Sequence, residues 1–177
     1  KMHKTMMIHV SKLVRINKDV FEFVSEFVKD VKNSIYACKD FSSSSDPKIK
    51  KLKVVFDDFY TKEKKNIKIF NFEKIFKQLK ELAKENWIEI QLVIGKQKNI
   101  GYEEFFKEKE KHMNVLMIGG DIISRGLTLE GLITSYFIRN PGGYDTLMQM
   151  ARWFGYRVSK GKSYEEACQI YMTSNSL

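Results

Sequence analysis

The chain has 177 residues, 43% of them hydrophobic and 13% aromatic, which is enough for one good core and short for two. Its 31 Lys and Arg against 22 Asp and Glu leave a net charge of +9, a balance that favours polyanionic partners through salt-sensitive phosphate contacts. Cys38 and Cys168 are far apart and outside any CxxC pair, no apolar run approaches the ~18 residues of a membrane span, and residues 1–11 lack a secretory cleavage pattern; the composition excludes a disulfide framework, a zinc site and a transmembrane protein, and predicts one soluble, cytoplasmic domain.

Residues 5–10 form a short, largely apolar run that predicts a buried strand. Behind Asn17, read as a helix cap, Val20, Val24, Phe27, Val28, Val31 and Ile35 recur at helical spacing and predict a helix packed on a sheet. The serines at 42–45 and Asp46-Pro47 predict a loop, because they compete for backbone bonds and the proline disfavours a helix before it. From residue 49 to 83 the pattern is helical and lysine-rich, with Phe72, Ile75, Phe76, Leu79 and Leu82 on one apolar face. This defines a helical insertion over residues 46–86.

Residues 87–94 predict a second strand, and residues 102–112 fit either a short helix or a charged loop. Val115 to Ile118 and Leu132 to Ile138 are continuous apolar runs ending in Gly119-Gly120 and Asn140-Pro-Gly-Gly143, as interior strands of a parallel sheet do. Residues 144–154 predict a helix and residues 167–172 a final strand. Strands alternating with helices predict an α/β fold, a doubly wound and mainly parallel sheet with helices on both faces.

Ligands of such sheets bind beyond the carboxyl ends of the strands, so the segments after Gly119 and after Asn140 are the first places for chemistry. In Gly119-Gly-Asp-Ile-Ile-Ser-Arg-Gly-Leu-Thr128, the two glycines, Gly119 and Gly120, free the backbone for a tight turn, Asp121 follows, and Arg125-Gly126 comes after a short apolar step. On a helix over 144–156, Asp145, Gln149, Arg152 and Tyr156 share a narrow arc opposite Leu147, Met150, Ala151 and Phe154. A guanidinium on that arc can grip phosphate with two prongs and stays charged at any relevant pH.

Asp121-Ile-Ile-Ser-Arg-Gly-Leu-Thr128 resembles the fifth motif of superfamily-two helicases, and Gln149-Met-Ala-Arg-Trp-Phe-Gly-Tyr-Arg157 resembles their sixth. The stretch from Ile118 to Leu132, with Tyr136-Phe-Ile-Arg139 and residues 144–157, is more closely similar to the Z-one domain family, and Met6-Met-Ile-His-Val-Ser11 looks like its opening strand. That resemblance implies a RecA-like, helicase C-terminal-type lobe over residues 1–177, taken from a larger bacterial protein of the endonuclease kind tied to restriction-modification and phage defence. It implies a helicase-like ATPase that acts on DNA, or on RNA, and hydrolyses ATP with magnesium held by a separate N-terminal lobe. By the same resemblance Asp121, Arg125 and Gly126 couple nucleotide to nucleic acid, Gly120 counts with them among the cofactor-binding residues, and Gln149, Arg152 and Arg157 serve the nucleotide. The interval from Gln149 to Arg157 is one residue longer than in the common motif, and Ala151 stands where glycine is usual. The arginine finger is therefore Arg152, by its place on the polar arc, or Arg157, by the motif.

No Gly-x-x-x-x-Gly-Lys-Ser/Thr loop occurs in the chain, so the fragment alone is not expected to hydrolyse ATP. A metal-dependent nuclease needs clustered carboxylates. Asp57-Asp58 is the one adjacent pair that tempts, and it reads as a helix-surface pair, while His3, His9 and His112 are scattered surface or packing residues; no metal site is expected. Two other classes stay open beside the ATPase lobe: a nucleic-acid-binding module without a nucleotide role, and a metal-dependent endonuclease domain.

Overall fold

The computed structural model describes residues 4–62, 71–85, 87–94, 114–120, 123, 131–138, 158–159, 162–163 and 168–172. They divide into two compact units, one of residues 1–24 and 88–177 and one of residues 25–87, with the division falling inside the first helix. Among the described residues no helix is long and apolar enough to cross a membrane.

The first unit is an α/β unit built on a five-stranded sheet. Its strands are β1 (Lys4–His9), β2 (Ile88–Val93), β3 (Asn114–Gly119), β4 (Leu132–Phe137) and β7 (Gln169–Met172). They lie in the order β2-β3-β1-β4-β7, and every pairing is parallel. Burial explains the apolar runs. Met7, Met117, Ile118 and Leu132 are fully buried, and β3 is buried at every position from Val115 to Gly119, as befits a strand between two neighbours. β1 is central: His9 stands beside Gly119 on one side and Phe137 on the other. Just before β4, Gly131 takes φ of 69°, a left-handed conformation open to glycine, and its carbonyl accepts the Thr5 amide at 2.8 Å. A separate antiparallel pair, β5 (Val158–Ser159) with β6 (Lys162–Ser163), was not anticipated from the sequence.

The helix α1 (Val14–Ala37) begins three residues before Asn17. Asn17 is therefore not its cap but an interior, buried residue; the turn into the helix is instead made by Ser11, whose Oγ accepts the Leu13 amide at 3.1 Å. The apolar stripe of α1 also departs from expectation. Ile35 and Val31 pack among the helices of the second unit, with Ile49, Phe72 and Phe76, and Phe27 is 55% exposed.

The second unit gathers the rest of α1, α2 (Pro47–Lys62) and α3 (Phe72–Glu85). Its core is Ile35, Ile49, Phe72, Phe76 and Ala83, with Phe41, Phe56 and Leu79 packed around them. Phe41 meets the edge of Phe72 at 5.1 Å between centroids, a favoured aromatic geometry. Both later helices carry the start signals read by the backbone. Asp46 Oδ1 accepts the Lys48 amide at 2.7 Å with Pro47 as the first helical residue, and Asn71 Oδ1 accepts the Glu73 amide at 2.8 Å. The carboxyl end of α1 is satisfied by a distant residue, since Lys80 Nζ donates to the Cys38 carbonyl at 2.6 Å. Asp57 and Asp58 lie exposed on α2, where Asp57 pairs with Lys53 one turn back. The expected helix over residues 144–154 and the segment 102–112 lie outside the described residues.

Candidate functional site

Parallel strands all point their carboxyl ends to one edge, and in this order that edge brings together His9, Val93, Gly119 and Phe137. β3 and β4 flank β1 on opposite sides, so the two segments singled out in the sequence, residues 119–131 and 140–157, come at or after the ends of strands that finish on the same edge beside the central strand. In open α/β sheets this edge is where ligands bind.

The edge is closely packed. The His9 ring is fully buried and stacks on Phe137, with centroids 4.9 Å apart and planes 17° from parallel, and the His9 carbonyl accepts the Ile138 amide at 3.1 Å. His9 is thus a packing histidine. The glycine pair ending β3 has a steric reason. A Cβ on Gly119 would stand 2.5 Å from the Val93 carbonyl oxygen and 2.6 Å from Ile123 Cδ1, and one on Gly120 would stand 2.8 Å from the Ser11 carbonyl oxygen. The chain leaves β3 pressed between the end of β2 and the β1–α1 connection. Ile123, fully buried, donates its amide to the Gly120 carbonyl at 3.1 Å, which turns the chain at once after the strand.

On the β1 side, Asn17 Nδ2 donates to the Ser11 carbonyl at 3.0 Å. The first turn of α1 holds no acidic residue, and Lys12 and Arg15 are exposed beside it. The start of a long helix and the backbone of Lys12, whose Cα would stand 3.5 Å from a Cβ on Gly120, therefore lie next to Gly120.

Of the residues singled out in the sequence, Gly120 is described and lies at this edge. Asp121, Arg125, Gly126, Gln149, Arg152 and Arg157 lie outside the described residues. Ser11 and Asn17 were missed as parts of the edge. The signal was present, because Ser11, three residues ahead of Val14, is a start signal, and a helix that begins soon after it carries Asn17 inside rather than at its cap. Among the described residues no group of three His, Cys, Asp or Glu could hold a metal ion.

The whole chain, residues 1–177, matches the model of the Z1 domain. The chain belongs to that family. No curated protein and no solved structure was found to match it. The Z1 assignment extends the similarity seen in the last third of the sequence to the sheet as a whole, so that the opening strand β1 and the glycine-ended β3 belong to one domain.

Proposed function

We propose that this Z1 domain is the second, RecA-like lobe of a helicase-like ATPase in a DNA-processing protein of the restriction or phage-defence kind. In this reading ATP and magnesium are held chiefly by another lobe, which supplies the phosphate-binding loop that this chain lacks. Bound there, ATP supplies a γ-phosphoryl group for transfer to water, and magnesium offsets the charge on its oxygens. This chain contributes positive charge from the side. Arg152 or Arg157 approaches the γ-phosphate, Gln149 assists in its binding, and Asp121, Arg125 and Gly126 couple the nucleotide to DNA gripped along the same edge.

One observation carries the reading. The strands before both motif-bearing segments end on a single carboxyl edge, on either side of the central strand, with a glycine turn at the first of them. Segments that follow two such strands in the sequence can act on one ligand. The net charge of +9 fits a polyanionic partner and also favours a second reading, a nucleic-acid-binding module that has no nucleotide role.

The two readings separate in one experiment on the full-length protein. Arg152→Ala and Arg157→Ala are assayed for steady-state ATP turnover and for ATP binding. The ATPase reading expects at least one to abolish turnover while binding persists. Unchanged turnover in both, with DNA binding intact, leaves the binding module.

A further inference from the structure

Asparagine is a poor residue for the inside of a helix, because its side chain competes with the backbone for hydrogen bonds. Asn17 nevertheless lies in the first turn of α1 with 1% of its surface exposed. Its Nδ2 is bonded to the Ser11 carbonyl, while its Oδ1 is buried without a hydrogen-bond partner. A bare buried acceptor costs free energy that an apolar side chain of the same shape would not. Local stability therefore does not account for asparagine here. What the residue does make is the bond to Ser11.

That bond fixes a carbonyl which stands against Gly120. A Cβ on Gly120 would lie 2.8 Å from Ser11 O and 3.5 Å from Asn17 Nδ2, so the β1–α1 connection and the end of β3 touch backbone to backbone. Beyond it, the Gly120 carbonyl holds the Ile123 amide, and the Ile123 side chain is fully buried. The described contacts run from Asn17 through Ser11 and Gly120 to Ile123. Asp121 is the residue after Gly120.

We infer that Asn17 is a positioning residue that clasps the β1–α1 connection against Gly120 and so fixes the end of β3 and the residue that precedes Asp121 in the sequence. Its geometry stands on the contacts above, and its consequence for turnover rests on the ATPase reading. Asn17 touches no reacting group in this scheme. It acts through Ser11 and Gly120.

The test has two arms. In the first, Asn17→Leu removes the donor and the bare acceptor together, and amide hydrogen exchange is followed residue by residue on the protein without nucleotide. The Ile123 amide is expected to exchange about tenfold faster or more while the amides of β1 and β4 keep their protection. Unchanged exchange at Ile123 overturns the proposal. Should Asn17→Leu fail to fold, Gly120→Ala strikes the same contact from the other side and is judged by the same two outcomes. In the second arm, Asn17→Leu in the full-length protein is expected to lower kcat for ATP about tenfold or more with KM unchanged, as misplacement of a reacting segment does. An unchanged kcat beside an active wild type overturns the positioning role. A wild type that does not turn over ATP overturns the ATPase reading instead and leaves the exchange result standing.

Discussion

Replacing Gly119 by alanine tests the packed carboxyl edge at its tightest point. The added methyl would lie 2.5 Å from the Val93 carbonyl oxygen, a backbone atom in the neighbouring strand, and 2.6 Å from Ile123 Cδ1, the end of a fully buried side chain. Neither neighbour can step aside freely, because β2 is held to β3 by a parallel ladder along its whole length. Overpacking of this kind costs about 1–3 kcal/mol. Alanine's lower freedom in the unfolded chain offsets about 0.4–1 kcal/mol of that. The net expectation is a loss of about 1.3 kcal/mol, or roughly a tenfold fall in the ratio of folded to unfolded protein. Urea unfolding followed by circular dichroism reads the change as a lower midpoint with an unchanged slope. A Gly119→Ala protein at least as stable as the parent would refute the reasoning, since it would mean that the ends of β2 and β3 do not approach as described.

The remaining predictions concern the helical unit. Asn71→Ala removes the side chain that caps α3 and is expected to cost about 1 kcal/mol, read as a lower thermal midpoint, with Asn71→Ser recovering most of it. The pH dependence has a definite sign. Asp40 is held below the ordinary carboxylate value of 3.8 by the Ser42 hydroxyl and amide and then the Ser43 hydroxyl, and Asp46 by the Ser34 hydroxyl and then the Lys48 amide. Both folded values lie below the unfolded one, so the stability they contribute is fully present above about pH 5 and is lost as pH falls through the ordinary carboxylate value toward the lowered one. Thermal melts across that window are expected to show a shallower acid slope in Asp40→Asn/Asp46→Asn than in the parent; equal slopes would contradict the assignment.

Much of the sheet was legible because its strands announce themselves. β3 is apolar on both faces and ended by glycine, a pattern that only a strand buried within a parallel sheet needs, and β4 follows Gly131 with Leu132 and Phe137 buried. Their order was not legible, since which strand lies beside β1 is decided by how the crossovers pack and not by the composition of any one strand. The two hidden errors in α1 share a cause. Periodicity marks an apolar face but not what covers it, so Val31 and Ile35 were assigned to the sheet although they pack among helices, and Phe27 was assigned to a core although it is exposed. Asn17 was misplaced because asparagine is a good cap and an unlikely interior residue, and the bond that explains it reaches back six residues to a main-chain carbonyl. The Lys80 bond to the Cys38 carbonyl spans 42 residues, and nothing local signals it. The β5–β6 pair is too short for alternation to show; only Gly161 between its strands hints at a turn. Of the glycine pair expected to form a turn, Gly119 is instead the last residue of β3 and Gly120 the bend after it, and their close approach to Val93 and Ser11 required the fold.

The central claim is that this lobe supplies an arginine to a triphosphate bound elsewhere, and single-turnover hydrolysis at saturating ATP tests it most directly. In the full-length protein, Arg152→Ala or Arg157→Ala is expected to slow the chemical step by roughly three to five decades while the affinity for ATP stays within a few-fold of the parent. A chemical step that proceeds at the parental rate in both variants would contradict the account.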